Sequence, residues 1–234
     1  MKMSPMAIAE KVSEYIVLPP QVDKVWFAPP GFINFTLRED WLSTEVESIL
    51  AAGEVYGDIE LGQSKQVQVE FVSVNPTGPL HVGHGSGAVL GSTLASVLTA
   101  SGYAVEKEYY INDMGNQIAN FGRSLYARYQ QCLGKEAAMP PDGYYGNYMM
   151  DLANEIVQEQ GDKFLLLSES EAASQLAEAG VVKMLQRIKE DLELLNVDFD
   201  IWFSEKSLYQ GGQYSKAMEL LQSECYIAKK ENAT

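Results

Sequence analysis

Cysteine is almost missing from this chain. Cys132 and Cys225 are the only two in 234 residues, and they stand in neither a metal-site nor a disulfide-framework spacing. They read as reduced thiols of a cytoplasmic protein. Basic side chains are also few: 17 Lys and Arg face 32 Asp and Glu, a formal net charge of −15. That sign excludes a cationic surface that coats nucleic acid, and no DNA partner is expected. It leaves room for a narrow site that takes one RNA end, and it suits a small cationic substrate. No apolar run approaches the ~20 residues of a membrane span, so no membrane partner is expected. The opening MKMSPMAIAEKVSEYIVL lacks the apolar block and cleavage site of a secretory signal and is too acidic for a transit peptide. Its Met-rich start reads as an expression scar.

The remaining pattern predicts an α/β protein. Residues 6–18 form a helix with Ile8, Val12, Tyr15 and Ile16 on one stripe. Val22–Ala28 and Phe32–Leu37 form a hairpin across Pro29-Pro30-Gly31. Arg38–Tyr56 is a second helix, apolar at Leu42, Val46, Ile49 and Leu50 and capped by Asp40. A polar linker follows, and a boundary near residue 62 divides the chain into units 1–62 and 63–234. The second unit begins with a β-branched strand, Val67–Val74. A helix over 85–100 follows, with Val89, Leu94, Val97 and Leu98 as its apolar face, and then the strand Ala104–Ile111. This βαβ unit implies a parallel, Rossmann-like sheet. Helices are predicted over 112–133, where Ile118, Phe121, Leu125 and Tyr129 fall in register, over 144–160, and from the capping box Ser168-x-x-Glu171 to about residue 195. Asp198–Phe203 is a short strand, and 211–224 is the last helix. The stretch 134–196 stands as a helical insertion. The charged run from Lys183 to Glu193 reads as a solvated helix face.

Histidine is as scarce as cysteine, yet both residues, His81 and His84, fall in one segment: Val74-Asn75-Pro76-Thr77-Gly78-Pro79-Leu80-His81-Val82-Gly83-His84. It lies where a strand gives way to a helix. Two prolines fix φ, Gly78 permits an unusual turn, and Gly83 lets a ligand approach the backbone. A helix N-terminus attracts anions, and imidazole donors can follow charge as it builds on phosphate oxygens. The pairing points to nucleotide phosphates. Nearby, Glu70 is an acidic candidate for a cationic ligand. Asp113 and Gln117, four apart, either line the same pocket or, for Asp113, cap the following helix. Tyr109, Tyr110, Trp202 and Phe203 read as packing residues.

The His81-Val82-Gly83-His84 segment resembles the HIGH motif of class I aminoacyl-tRNA synthetases, a motif that other nucleotidyltransferases share. The flanks resemble arginyl-tRNA synthetase: Val69-Glu70-Phe71-Val72-Ser73-Val74-Asn75, Tyr109-Tyr110-Ile111-Asn112-Asp113-Met114-Gly115-Asn116-Gln117, Phe199–Glu205, and Gly31–Phe35 of the accessory domain. The resemblance runs from about residue 6 to residue 228. It implies a Rossmann-like catalytic domain behind a small α+β accessory domain that contacts tRNA. It also implies activation of L-arginine by ATP, with Mg2+ accompanying the nucleotide, and transfer of arginine to tRNA(Arg).

Under that resemblance His81, Gly83 and His84 hold ATP, and His81 and His84 are the catalytic pair. Ser73, Val74, Asn75 and His84 contact arginine, with Glu70, Asp113 and Gln117 as further candidates. No protein metal site is expected, and the full-length parent is expected to be monomeric. The chain departs from the family at Ser86, commonly basic, and at Ser92, often acidic. It carries no KMSK-like loop and no anticodon-reading domain, which predicts a fragment with little or no aminoacylation activity alone. Two alternatives stay open. One is another HxGH nucleotidyltransferase or a class I synthetase for a different amino acid; the other is a non-catalytic relative that binds RNA or protein.

Overall fold

The computed structural model describes residues 3–227. Met1 and Lys2, where the Met-rich start begins, and residues 228–234 lie outside the described residues. Between Asp58 and Ile59 the chain divides into two compact units.

The N-terminal unit holds α1 (Pro5–Ser13), β1 (Val22–Ala28), β2 (Phe32–Leu37) and α2 (Glu39–Ala52). Ser4 caps α1, its side chain accepting from the Ala7 N–H at 3.3 Å, and Pro5 occupies the first turn, where its missing N–H costs nothing. The hairpin is antiparallel with Trp26 opposite Asn34, and its strands have the predicted ends. Gly31 is indispensable to the turn: a Cβ there would sit 2.8 Å from the Pro5 backbone.

Three expectations fail in this unit. α1 stops at Ser13, so Tyr15 lies beyond it and is exposed, and only Ala9 of the helix is buried. The predicted stripe of α2, Leu42, Val46, Ile49 and Leu50, is exposed as well. Asp40 does not cap α2. Arg38 occupies the cap position, and its guanidinium holds the Asp40 carboxylate in a two-point pair at 2.9 and 2.5 Å inside the first turn.

The C-terminal unit holds β3 (Gln66–Glu70), α3 (Val82–Ala100), β4 (Ala104–Ile111), α4 (Asn116–Cys132), α5 (Asn147–Gln160), α6 (Glu169–Glu193), β5 (Ile201–Ser204), α7 (Glu205–Gln210) and α8 (Gln213–Ser223). The strands form one parallel sheet in the order β3-β4-β5. A small α+β unit therefore precedes a Rossmann-like domain. Residues 59–64, expected to be part of the linker, bond to the turn between α3 and β4: Ile59 N–H to Ala100 O at 2.8 Å, Gly62 to Ser101 at 2.7 Å and Ser64 to Gly102 at 2.8 Å.

Two cores share one helix. Phe121, Leu125 and Tyr129 of α4 are fully buried against Met149, Leu152 and Ile156 of α5 and Leu176 and Met184 of α6. Further along α6, Ile188 and Leu192 join Ala88, Tyr109 and Ile111 on the sheet. The Ser168–Glu171 capping box forms as predicted and starts α6. Lys183 departs from the solvated-face reading: it pairs with Glu155 and Glu159 of α5 at 2.9 and 2.6 Å, with its side chain largely covered.

Helix α3 packs in the opposite sense from its apolar pattern. Val89, Leu94 and Val97 are exposed, and the helix buries Ala88, Gly91 and Ala95. Phe71 explains this, since a Cβ at Gly91 would lie 2.2 Å from its ring. The aromatic fills the space, and only the small-residue face comes close. At the C-terminal end, α7 was not anticipated. Gly211 and Gly212, the latter at φ +71°, separate it from the predicted last helix, which starts at Gln213, two residues later than expected.

Candidate active site

Strand β3 ends four residues early, and the reason lies in the next turn. Val72 and Ser73 take φ +64° and +42°, a region that non-glycine residues avoid and β-branched ones most of all. Such a turn persists only where neighbours hold it. Tyr109 of β4 does so with one hydroxyl: it donates to Val74 O at 2.9 Å and accepts from the Val74 N–H at 3.1 Å. The Tyr110 N–H donates to the Ser73 hydroxyl at 3.1 Å, and the Asn75 amide donates to Gln117 of α4. Tyr109 is fully buried, stacked on Trp202 at 4.5 Å, and burial pushes its pKa up to about 12, so it remains a donor at neutral pH. Tyr109 and Tyr110 are thus more than packing residues. Their signal in sequence was absent because their partners lie some 35 residues away.

The two histidines start α3, which opens three residues earlier than predicted. His81 is the N-cap. Its Nδ1 accepts from the Gly83 N–H at 3.1 Å, and His84 Nδ1 accepts from the His81 N–H at 3.3 Å. This is a capping box built from imidazoles. The rings stack with centroids 3.4 Å apart; His81 is exposed and His84 half-buried.

Chemistry follows from the cap. A nitrogen that accepts an N–H carries no proton, so each neutral ring is protonated at Nε2. Two Nε2–H donors remain for a ligand, at the positive end of a 19-residue helix with no acidic residue in its first turn. The arrangement suits an anion such as a phosphate. Gly83 serves the cap itself, since a Cβ there would stand 3.0 Å from the His81 ring.

Protonation of either Nδ1 would break this box. Burial, then the charge of His81, holds the His84 pKa below the usual imidazole value. The folded state therefore favours the neutral ring. The stability it contributes is complete above the unfolded pKa of ~6.5 and is lost as pH falls through the lower folded value. In an NMR titration the His84 ring should show a midpoint below that of a free imidazole; a midpoint at or above it would contradict the cap.

The other expected residues are placed as follows. Gln117 meets Asn75. Glu70 is exposed at the carboxyl end of β3. Asp113 does not cap the helix that follows it: Gly115 is the N-cap of α4, and no side-chain cap is made there. It caps α7 instead, accepting from the Ser204 hydroxyl at 2.6 Å and the Lys206 N–H at 2.9 Å. Burial raises the Tyr110 hydroxyl above the ordinary phenol range, and the negative charges of Glu205, Glu70 and Asp113 push the same way. Glu205 joins this acidic group only through the tertiary fold. A cavity of about 1050 Å3 lies between α4 and α6, lined by Asp113, Ile118, Arg123 and Glu178, but not by the histidines or Asn75. The strand-end turn lies where open parallel sheets generally place a ligand. Among the described residues no helix is long and apolar enough to cross a membrane.

Comparison with known proteins agrees with this fold. Residues 45–234 match the family model of the class I tRNA synthetase (R) catalytic domain, and residues 1–37 match that of the arginyl-tRNA synthetase N-terminal domain. An arginine–tRNA ligase of Dehalococcoides mccartyi is 55% identical over 98% of this chain and 41% of its own length. One from Carboxydothermus hydrogenoformans is 45% identical over 99% and 42%. Among solved structures, an arginyl-tRNA synthetase from Campylobacter jejuni superposes with a TM-score of 0.71 at 35% identity, over 83% of this chain and 42% of that one. That of Thermus thermophilus gives 0.56 at 26%, over 95% and 36%. The chain spans about two fifths of the length of the curated relatives it matches. It belongs to the class I arginyl-tRNA synthetase family.

Proposed function

We propose that this chain carries the nucleotide- and arginine-binding turn of an arginine–tRNA ligase. In that reaction the carboxylate of L-arginine attacks the α-phosphorus of ATP, pyrophosphate leaves, and arginine passes from arginyl-AMP to the 3′ end of tRNA(Arg). The observation that carries the reading is the stacked His81–His84 pair, whose caps leave both Nε2–H donors free at the start of α3. These donors stabilise charge on the phosphate oxygens as the bond to phosphorus forms. Mg2+ arrives with ATP, held by its phosphates. The rings do no nucleophilic work; positioning and electrostatics suffice.

Asn75, Ser73 and Val74 orient the α-amino and carboxylate groups, and Gln117 fixes the Asn75 amide. Glu70 and Asp113, with Glu205, supply the negative field that a guanidinium requires. Residues 1–62 act as the tRNA-contacting accessory part and 63–234 as catalytic, with 134–196 as the helical insertion. The free thiols Cys132 and Cys225 fit a cytoplasmic setting, and a monomeric parent belongs to the same reading.

Calorimetric titration of the 234-residue chain tests the proposal. Mg-ATP should bind, and L-arginine should bind at least about tenfold tighter than L-lysine, whose ammonium cannot pair bidentately. Failure to bind Mg-ATP, or equal affinity for the two amino acids, would refute it.

A further inference from the structure

We infer that Tyr148 is a positioning residue for the paired-imidazole turn, fastening the helical layer of the C-terminal unit to the backbone that presents His81 and His84. The inference rests on the proposed nucleotide site. The tyrosine stands at the second position of α5, and its hydroxyl donates to Thr77 O at 2.8 Å, across 71 residues of sequence. Thr77 and Pro76 are buried, so this carbonyl has little access to water, and losing the donor would strand it. Prolines 76 and 79 supply no N–H, and the turn's internal bonds are short-range links from Ser73 N–H to Phe71 O at 2.9 Å and from Thr77 N–H to Asn75 O at 2.8 Å. Long-range contacts fasten it to the rest of the unit at successive points: Tyr110 on Ser73, Tyr109 on Val74, Gln117 on Asn75 and Tyr148 on Thr77. Tyr148 makes the last of these before the histidines, and it alone comes from α5.

Two glycines make room for the ring. A Cβ at Gly78 would stand 3.3 Å from the Tyr148 hydroxyl, and one at Gly146 would stand 2.5 Å from the ring edge. Gly78 is not in the left-handed region. Gly78 therefore serves no unusual turn, contrary to expectation; it supplies the space that brings the hydroxyl to the carbonyl. The ring's other side packs on the fully buried α4–α5–α6 core. Burial pushes the Tyr148 pKa up to about 12, so the hydroxyl keeps its proton through the neutral range. A shift of the helical layer is thereby transmitted to the backbone four residues before His81.

The test compares Tyr148→Phe with Tyr145→Phe in the 234-residue chain. Tyr145 lies in the same segment, and its hydroxyl also donates to a backbone carbonyl, Pro140 O at 2.7 Å, away from the turn. Imidazole tautomers are read by long-range 1H–15N NMR, and Mg-ATP affinity by calorimetry. Tyr148→Phe should shift both histidine rings from the single Nε2–H tautomer toward an average and weaken Mg-ATP about tenfold. Tyr145→Phe should leave both readouts unchanged. Gly78→Ala, which removes no hydrogen bond but presses on the tyrosine, should shift the rings in the same direction, and it decides the matter if Tyr148→Phe does not fold. Unchanged histidine spectra in the folded Tyr148 variant, or equal effects from both tyrosines, would overturn the inference. Should the parent chain bind no Mg-ATP, the function proposed above falls, while the tautomer comparison still decides the role of Tyr148.

Discussion

Replacing Phe121 with alanine is expected to destabilise the C-terminal unit by about 3–5 kcal/mol, the range for deleting a buried aromatic. The ring is fully buried and meets Tyr144 edge to face with centroids 5.9 Å apart. The space it leaves cannot close readily, because α4 and α6 already touch through backbone. A Cβ at Gly122 would lie 2.4 Å from Ala173 O, and one at Gly180 would lie 2.7 Å from the Phe121 ring. Urea denaturation should show a lower midpoint at an unchanged slope, and the melting temperature should fall by roughly 6–20 °C for a domain of this size. Val89→Ala, on the exposed flank of α3, should stay within about 0.5 kcal/mol. A loss under about 1 kcal/mol at Phe121 would show that the helical layer is not packed through that ring.

The largest functional effect is expected from the double variant His81→Asn/His84→Gln. Asparagine at the cap and glutamine three residues later can rebuild the capping box without imidazole, so the helix start survives. What disappears is the pair of Nε2–H donors. Each hydrogen bond to a charged oxygen contributes about 1.5–3 kcal/mol, so Mg-ATP affinity should drop on the order of a hundredfold or more. Calorimetry reads the affinity, and circular dichroism confirms that the fold is retained. An affinity within threefold of the parent would remove the histidines from the nucleotide site. A collapse of the fold would show instead that the rings serve α3 alone.

The Phe121, Leu125 and Tyr129 register of α4 could be read from helical spacing, and all three are buried as that spacing requires. The same reasoning failed on α3, where larger aliphatics face outward and alanines and a glycine face the sheet. Periodicity identifies an apolar stripe; it does not say that Phe71 already fills the space beneath. Both histidines could be assigned to one turn from sequence. Their stacking, their shared cap and the tautomer it selects required coordinates, because those properties depend on where backbone N–H groups point.

Local chemistry determined the hairpin with its Pro-Pro-Gly turn, the Ser168–Glu171 start of α6, the βαβ order and the placing of the paired imidazoles at a strand-to-helix junction. Each signal lies within a few residues and acts through φ, capping or spacing. The tertiary fold alone decided that Asp113 caps α7, that Tyr109 clamps Val74 and that Tyr148 holds Thr77. Those contacts join residues 93, 35 and 71 positions apart. A buried polar atom must find its partner in space, and local patterns carry no information about which distant strand or helix will be there.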